Sequence, residues 1–277
     1  MPKTYLGMLA DRRTDRHDRR LMPAQVPFEP IVASLRTEVI GHFAARGETI
    51  DTPSGRVTLD TNSTLASARA EMLVSPYLAR SGHSTLEGLR VADVGCGFGS
   101  ISLALAARGA SVVGVDPNVD RLGIGARVAA QFGLDASFQE GTLEATGLAA
   151  GSFDLIVVNN AFCYVVDRSA RRIALKLAHA TLVPGGWLVL RDPNRAHPRD
   201  VFTRLPLIQR LPPSWADPVV GLMGVHRSRV RVTTPRAARR ELRRAGFQRV
   251  RFDGSGARSR WVDRIAGHHH TSGQRGL

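Results

Sequence analysis

The chain has little to cross-link it. Cys96 and Cys163 are its two cysteines in 277 residues, too few for a disulfide framework, so a reducing, cytoplasmic setting is the expectation. Aromatic residues make up 6%, and no basic run is interleaved with them as in single-strand RNA-binding modules. Lysine is nearly missing, with Lys3 and Lys176 the only ones among 38 basic residues, a bias that GC-rich coding produces without any functional cause. No apolar run approaches the roughly 18 residues of a spanning helix. The opening "MPKTYLGMLADRRTDRHDRR" mixes both charge signs and has no apolar core segment, so no secretory signal is expected. His268, His269 and His270 lack a spaced partner set, and no metal site is expected.

What is present is a 43% hydrophobic content, enough for a sizeable core, and a formal charge of +14 that is unevenly spread. Residues 1–20 carry +3 and residues 191–277 carry +13, which leaves −2 for the stretch between. The positive field therefore belongs to the two ends. A basic surface of this kind attracts nucleic acid or anionic membrane, and solvated arginine faces are the plainer reading.

Along the chain, residues 1–29 read as a loosely attached arm. Ile31, Leu35, Val39 and Phe43 recur at helical spacing before Gly47, "GRVTLDT" reads as a short strand, and a second helix starts near Ser63 or Thr64. From residue 89 the pattern alternates. "LRVADV", "ASVVGVD", "ASFQEG", "FDLIVVNN" and "WLVLRD" are strands, with helices through "SISLALAARG", "VDRLGIGARVAAQFG" and "DRSARRIALKLAHATL". Strands alternating with helices mean βαβ units and a parallel sheet. Residues 193–232 are proline-rich and aperiodic, a lid-like insertion. Thr234 and Pro235 then open another helix, and "QRVRFDG" and "ARSRWVDRI" supply two last strands. The expected organisation is an N-terminal arm and helical cap over 1–85, an α/β domain over 86–265, and a flexible tail over 266–277.

"VADVGCGFGS" places three glycines, Gly95, Gly97 and Gly99, directly after the first of these strands. Ligands of parallel sheets sit beyond strand carboxyl ends, where the strand order reverses. Glycine there permits positive φ and lets a ligand lie on the main chain, while Gly99 and Ser100 open a helix whose first N–H groups lack internal partners. Asp116 ends the next strand, where a carboxylate can accept both hydroxyls of a ribose. The order G-x-G-x-G departs from the dinucleotide fingerprint G-x-G-x-x-G. Asp93, two residues ahead, suits a cationic ligand better than a pyrophosphate.

These stretches, with "VVGVDPN", "EGTLEATGLAAGSFDLIVVNNAFCYVVD" and "LVPGGWLVLRDPN", resemble in order and spacing the motifs of class I S-adenosylmethionine-dependent methyltransferases, closest to the small-molecule and quinone branch. The resemblance covers about residues 86–194. It implies a Rossmann-like, seven-stranded, mostly parallel sheet with helices on both faces, and S-adenosylmethionine as cofactor. By the same resemblance Asp93, Gly95, Cys96, Gly97 and Gly99 line the amino-acid half of the cofactor, Asp116 holds the ribose, and Pro117 lies beside the adenine. Thr142 stands where the family often has an aspartate touching the adenine amine, with the Leu143 backbone next to it, and Asn159 faces the methionine end. Cys163 and Tyr164 replace a histidine pair frequent in the branch.

The implied activity is methyl transfer to a small organic acceptor, most readily at oxygen. A general base is needed only if the acceptor loses a proton during attack. His197 is the candidate for that role, with Tyr164 and His226 as further candidates. Phe202, Trp215 and Met223 could form an apolar acceptor pocket. Arg236, Arg239, Arg240, Arg243 and Arg244 share helical spacing as one basic stripe. Two alternatives stand beside this reading: an RNA methyltransferase using the basic C-terminal region, and a non-catalytic cofactor-binding protein. Oligomeric state and acceptor identity are not legible in the sequence.

Overall fold

A computed structural model of the chain describes residues 5–7, 25–195, 205–208, 211, 213–222 and 230–252. Its centre is five parallel strands: β2 (Arg90–Val94), β3 (Ser111–Asp116), β4 (Ala136–Glu140), β5 (Phe153–Asn159) and β6 (Leu182–Pro193). With β1 (Tyr5–Gly7) antiparallel to β6 at one edge, the order is β1-β6-β5-β2-β3-β4. The chain runs from β2 outward through β3 to β4, then returns to place β5 on the other side of β2. That reversal opens a crevice between the carboxyl ends of β2 and β5, the usual ligand position in open α/β sheets.

Alternation along the strands divides the core. Val91, Leu155, Val157 and Val189 face one side, under α3 (Ala66–Ser81), α4 (Ser100–Ala106) and α5 (Val119–Phe132). Ala92, Val94, Ile156, Val158 and Leu190 face the other, under α6 (Arg168–Thr181) and α8 (Pro235–Ala245). Strands buried on both faces read as continuous apolar runs, which is why "FDLIVV" has no polar phase. Leu103, Leu105 and Leu155 are fully buried, and each such side chain contributes about 1.5–3 kcal/mol on leaving water.

The N-terminal helices extend the first layer. α1 (Phe28–Ala45) buries Phe28, Ile31, Leu35 and Val39 and lies across α4 and α5. Its outer face is tied to α5 by Ser34 Oγ to Gln131 (2.6 Å) and by the Arg127–Glu38 ion pair. α7 (Pro213–Leu222) lies within the insertion. It buries Ala216 and Val220 against Ile208, while Trp215 is 68% exposed.

The described structure departs from the sequence expectations in three places. "GRVTLDT" is not a strand but belongs to α2 (Pro53–Asn62). Thr52 Oγ1 accepts the Gly55 N–H at 2.9 Å with Pro53 behind it, an N-cap and first-turn proline that override the alternation of Val57 and Leu59. Three residues of the expected loose arm form the edge strand β1. The seven-strand count is not reached: six strands occur among the described residues, and 248–252, from the first of the two expected last strands, are not extended into the sheet. The strand expected in "ARSRWVDRI" and the tail after it lie outside the described residues.

Candidate active site

One wall of the crevice is main chain. The loop 95–99 carries positive φ at Gly95 (81°), Gly97 (59°) and Gly99 (74°). Gly95 and Cys96 both donate N–H to Val115 O (2.7 and 3.1 Å), which binds the loop to β3. The three glycines are not equivalent. A Cβ on Gly95 would lie 2.3 Å from Ala161 Cβ, and one on Gly99 would lie 2.5 Å from the Phe138 ring, whereas a Cβ on Gly97 would meet nothing within 4 Å. Gly95 and Gly99 thus pack against protein, and Gly97 is the position that leaves open space above the backbone.

Asp116, at the end of β3, is 9% exposed. Its Oδ2 accepts the Gly97 N–H (2.9 Å) and its Oδ1 accepts the Asn118 N–H (3.0 Å). A carboxylate offers about four lone-pair sites, so each oxygen keeps capacity for a further donor. Asn118 in turn caps α5 through Arg121 N–H (3.0 Å). Pro117 next to Asp116 is exposed.

Asp93 lies under the loop and is 1% exposed. It accepts from Ser102 Oγ at 2.7 Å. Burial pushes its pKa up to about 6; the Ser102 bond and the Arg69 charge oppose the rise, and Asp116 adds to it. Arg69 reaches from α3 to Thr61 O (2.7 Å), so the N-terminal helices bring a cation to this carboxylate. Cys96 is buried and its thiol pKa is raised by burial, then by Asp93 and Asp116. A thiol held protonated is a packing group, not a nucleophile. At the rim, His42 of α1 meets the Phe98 ring edge-on at 5.2 Å, and the Arg121 guanidinium lies 5.1 Å from that ring's centre. Thr142 is exposed and Leu143 half-buried, in a turn closed by Thr142 and Ala145 main-chain bonds at 3.1 Å.

The opposite wall is built from side chains at the ends of β5 and β6. Asn159 is 8% exposed; its Oδ1 accepts from Arg191 Nη1 (3.3 Å), and its Nδ2 is buried without a partner. Asn160 has φ 57°, uncommon for a residue with a side chain, and its Oδ1 is likewise buried without a partner. Asp192 is 5% exposed, and its Oδ1 is a third such atom. Burial raises its pKa to about 7 against the opposing Arg171 charge and the Cys163 and Phe162 main chain. Buried polar atoms without partners call for an explanation, and three at adjacent strand ends mark where a ligand can complete the bonding. Tyr164, on the turn that follows, is 52% exposed. Its hydroxyl pKa is raised by burial, then by Cys163 and Asp192, while Arg121 pulls it down.

The structure brings Asp93, Gly95, Cys96, Gly97, Gly99, Asp116 and Asn159 to one crevice. His197, His226, Phe202 and Met223 lie outside the described residues. Trp215 is on the outer side of α7, away from Ile208. Sequence reasoning missed Arg69, Ser102, Arg171 and Asp192. Two of these carried a signal: Arg171 shares the helical face of Ala174 and Leu175, and Asp192 is the last residue but one of β6, close to the place Asp116 has in β3. The stripe Arg236, Arg239, Arg240, Arg243 and Arg244 is exposed on the outer side of α8, while Ala238, Leu242 and Ala245 face inward.

Comparison with known proteins gives the same reading. Residues 91–186 match a family described as "Methyltransferase domain". The chain is 43% identical over 114 residues to the ubiquinone biosynthesis O-methyltransferase of Agrobacterium fabrum, a match covering 41% of this chain and 44% of that protein. It is 39% identical over 110 residues to the enzyme of the same name from Rhizobium johnstonii, covering 40% and 43%. The chain thus covers less than half the length of these curated relatives. Among solved structures, one described as the 4+2 cyclase SpnF superposes with a TM-score of 0.53 at 19% identity, covering 75% of this chain and 68% of that one. The glycine loop, Asp116 and Asn159 all lie within the segment that matches the methyltransferase-domain family. The cyclase shares the fold alone, and a shared fold leaves the chemistry to the site.

Proposed function

We propose that this protein transfers a methyl group from S-adenosylmethionine to a small organic acceptor, at oxygen. The observation that carries the reading is the loop at Gly97, open above its main chain, with the Asp116 carboxylate beside it and oxygens still able to accept. The names of the relatives support oxygen as the methylated atom and a small molecule as the acceptor.

The residues present fit the cofactor. Asp116 would take the ribose hydroxyls, with Pro117 and the 142–143 turn on the adenine side. Gly95, Cys96, Gly97 and Gly99 would provide the bed for the amino-acid half, and Asn159 Nδ2 would donate to its carboxylate. Asp93 sits beneath the loop on Ser102, so it acts through the loop; a cationic ligand above would favour its ionised form. The bound cofactor supplies an already activated methyl group. The protein's part is to hold the acceptor atom in line and keep water out. His197 is retained as the proposed proton acceptor, and the N-terminal helices and the 193–232 insertion as the cover over the acceptor. Among the described residues no helix is long and apolar enough to cross a membrane.

Isothermal titration with S-adenosylmethionine tests the reading. One site per chain is expected, weakened strongly by Asp116→Ala. Folded protein that gives no heat of binding would refute it.

A further inference from the structure

The turn that carries Tyr164 has almost nothing of its own to hold it. The 3-10 turn Phe162–Tyr164 closes with Tyr164 N–H to Ala161 O (3.1 Å) and Val165 N–H to Phe162 O (3.2 Å). A single helical turn fixes several dihedrals for very few bonds and is unstable by itself. Its shape must come from elsewhere.

It comes from side chains far away in sequence. Arg171, 2% exposed, donates through Nη1 to Phe162 O (3.0 Å) and Val165 O (3.3 Å). Its guanidinium lies 3.8 Å from the centre of the Phe162 ring. Glu241 on α8 fixes the fork, accepting from Nε at 3.1 Å and Nη2 at 2.9 Å. Asp192 on β6 lies within electrostatic reach of Arg171, Phe162 and Cys163. Arg231 closes the arrangement, its N–H on Cys163 O (2.7 Å) and its Nη1 on Val166 O (3.4 Å). Arg171 and Arg231 thus take the carbonyls of Phe162, Cys163, Val165 and Val166. Phe162 and Cys163 are buried as a result, and Tyr164 is left facing outward from β5.

A stability role alone explains this poorly. Burying a guanidinium costs desolvation that one half-buried carboxylate rarely repays, and an apolar side chain at that place would usually serve as well. What Arg171 adds is direction: its planar fork fits two carbonyls and a carboxylate in one geometry only.

We propose that Arg171 and Glu241 form a positioning clamp that sets the 162–165 turn and so places Tyr164 against the acceptor end of the crevice. Neither touches the reacting atoms in this account; both are positioning residues. The proposal rests on the methyltransferase reading only for what the turn faces, and the geometry of the clamp stands without it.

The test is hydrogen exchange of the segment 160–166, with the strand 153–159 as internal reference, alone and with S-adenosylhomocysteine as probe. Expected results are a greater than tenfold loss of protection in Arg171→Met and about threefold in Glu241→Gln, confined to the turn. Arg171→Lys should recover part of the Arg171→Met loss, and the extra protection given by the probe should fall in the same order. Glu241→Gln keeps the test informative if Arg171→Met does not fold. Equal loosening of turn and strand, or an unchanged turn in Glu241→Gln and Arg171→Lys, would reduce the cluster to a staple between α6 and α8 and overturn the proposal. A wild-type chain that ignores the probe would instead refute the methyltransferase reading, while exchange without the probe would still decide the clamp.

Discussion

The two walls of the crevice are made by different means. On the β2–β3 side the functional groups are main-chain amides and one carboxylate, held by short-range geometry. Asp116 reaches Gly97 and Asn118, and Asn118 caps the helix that follows. On the β5–β6 side the work falls to side chains from several elements, and Arg171 meets Glu241 across 70 residues. The first wall repeats as a local pattern and is readable. The second depends on the tertiary fold, and Asn159 Nδ2, Asn160 Oδ1 and Asp192 Oδ1 are among its buried polar atoms that still lack partners.

The largest effect should come from the first wall. Asp116→Ala removes a charged acceptor for two ribose hydroxyls at about 1.5–3 kcal/mol each. Affinity for S-adenosylmethionine should fall on the order of 1000-fold, read by calorimetry, while Asn159→Ala, which removes a single donor to a carboxylate, should cost less, on the order of tens of fold. Equal losses in the two variants would break the contrast between the walls.

Within the glycine loop the same contrast can be sharpened. Gly95→Ala meets both the left-handed backbone, about 1–2 kcal/mol, and Ala161 at 2.3 Å, which adds about 1–3 kcal/mol of overpacking. Gly97→Ala meets only the first cost, since nothing lies within 4 Å of its Cβ. Melting should therefore drop further for Gly95→Ala, whereas Gly97→Ala should show its damage mainly in cofactor binding. The reverse order would mean that Gly97 is a packing position.

Next is pH. The carboxylates of Asp93, raised to about 6, and Asp192, raised to about 7, hold protons in the folded chain that the unfolded chain has released above about pH 4. The native state binds more protons there, so stability falls as pH rises from about 4 to 7, and these two groups add no further slope above that. Asp93→Asn should remove the lower part of the slope, on the order of 3 kcal/mol, raising the melting temperature at pH 8 but not at pH 4. The smallest effect belongs to the outer surface: Glu38→Gln, breaking the exposed pair with Arg127, should change stability by less than about 1 kcal/mol.

This division also decides what the sequence disclosed. Strand and helix alternation from Arg90 to Pro193 was legible because the central strands β2 and β5 are apolar on both faces and α5 and α6 start on side-chain caps. The cap at Thr52–Pro53 is the same signal as Thr234–Pro235, and it went unread because Val57 and Leu59 imitate a strand. An edge strand of three residues carries too little pattern to be seen at all. In the site, Gly97 and Asp116 were legible as loop and strand end, a neighbourhood set by local chain geometry. Arg171 and Arg69 were not, because the contacts each makes form only when segments distant in sequence are packed together.

The most direct measurement is a crystal structure with S-adenosylhomocysteine. The account predicts the ribose hydroxyls within hydrogen-bond distance of Asp116 and the amino-acid end lying over Gly97 towards Asn159. A nucleoside bound elsewhere, or Asp116 making no contact with it, would contradict the account.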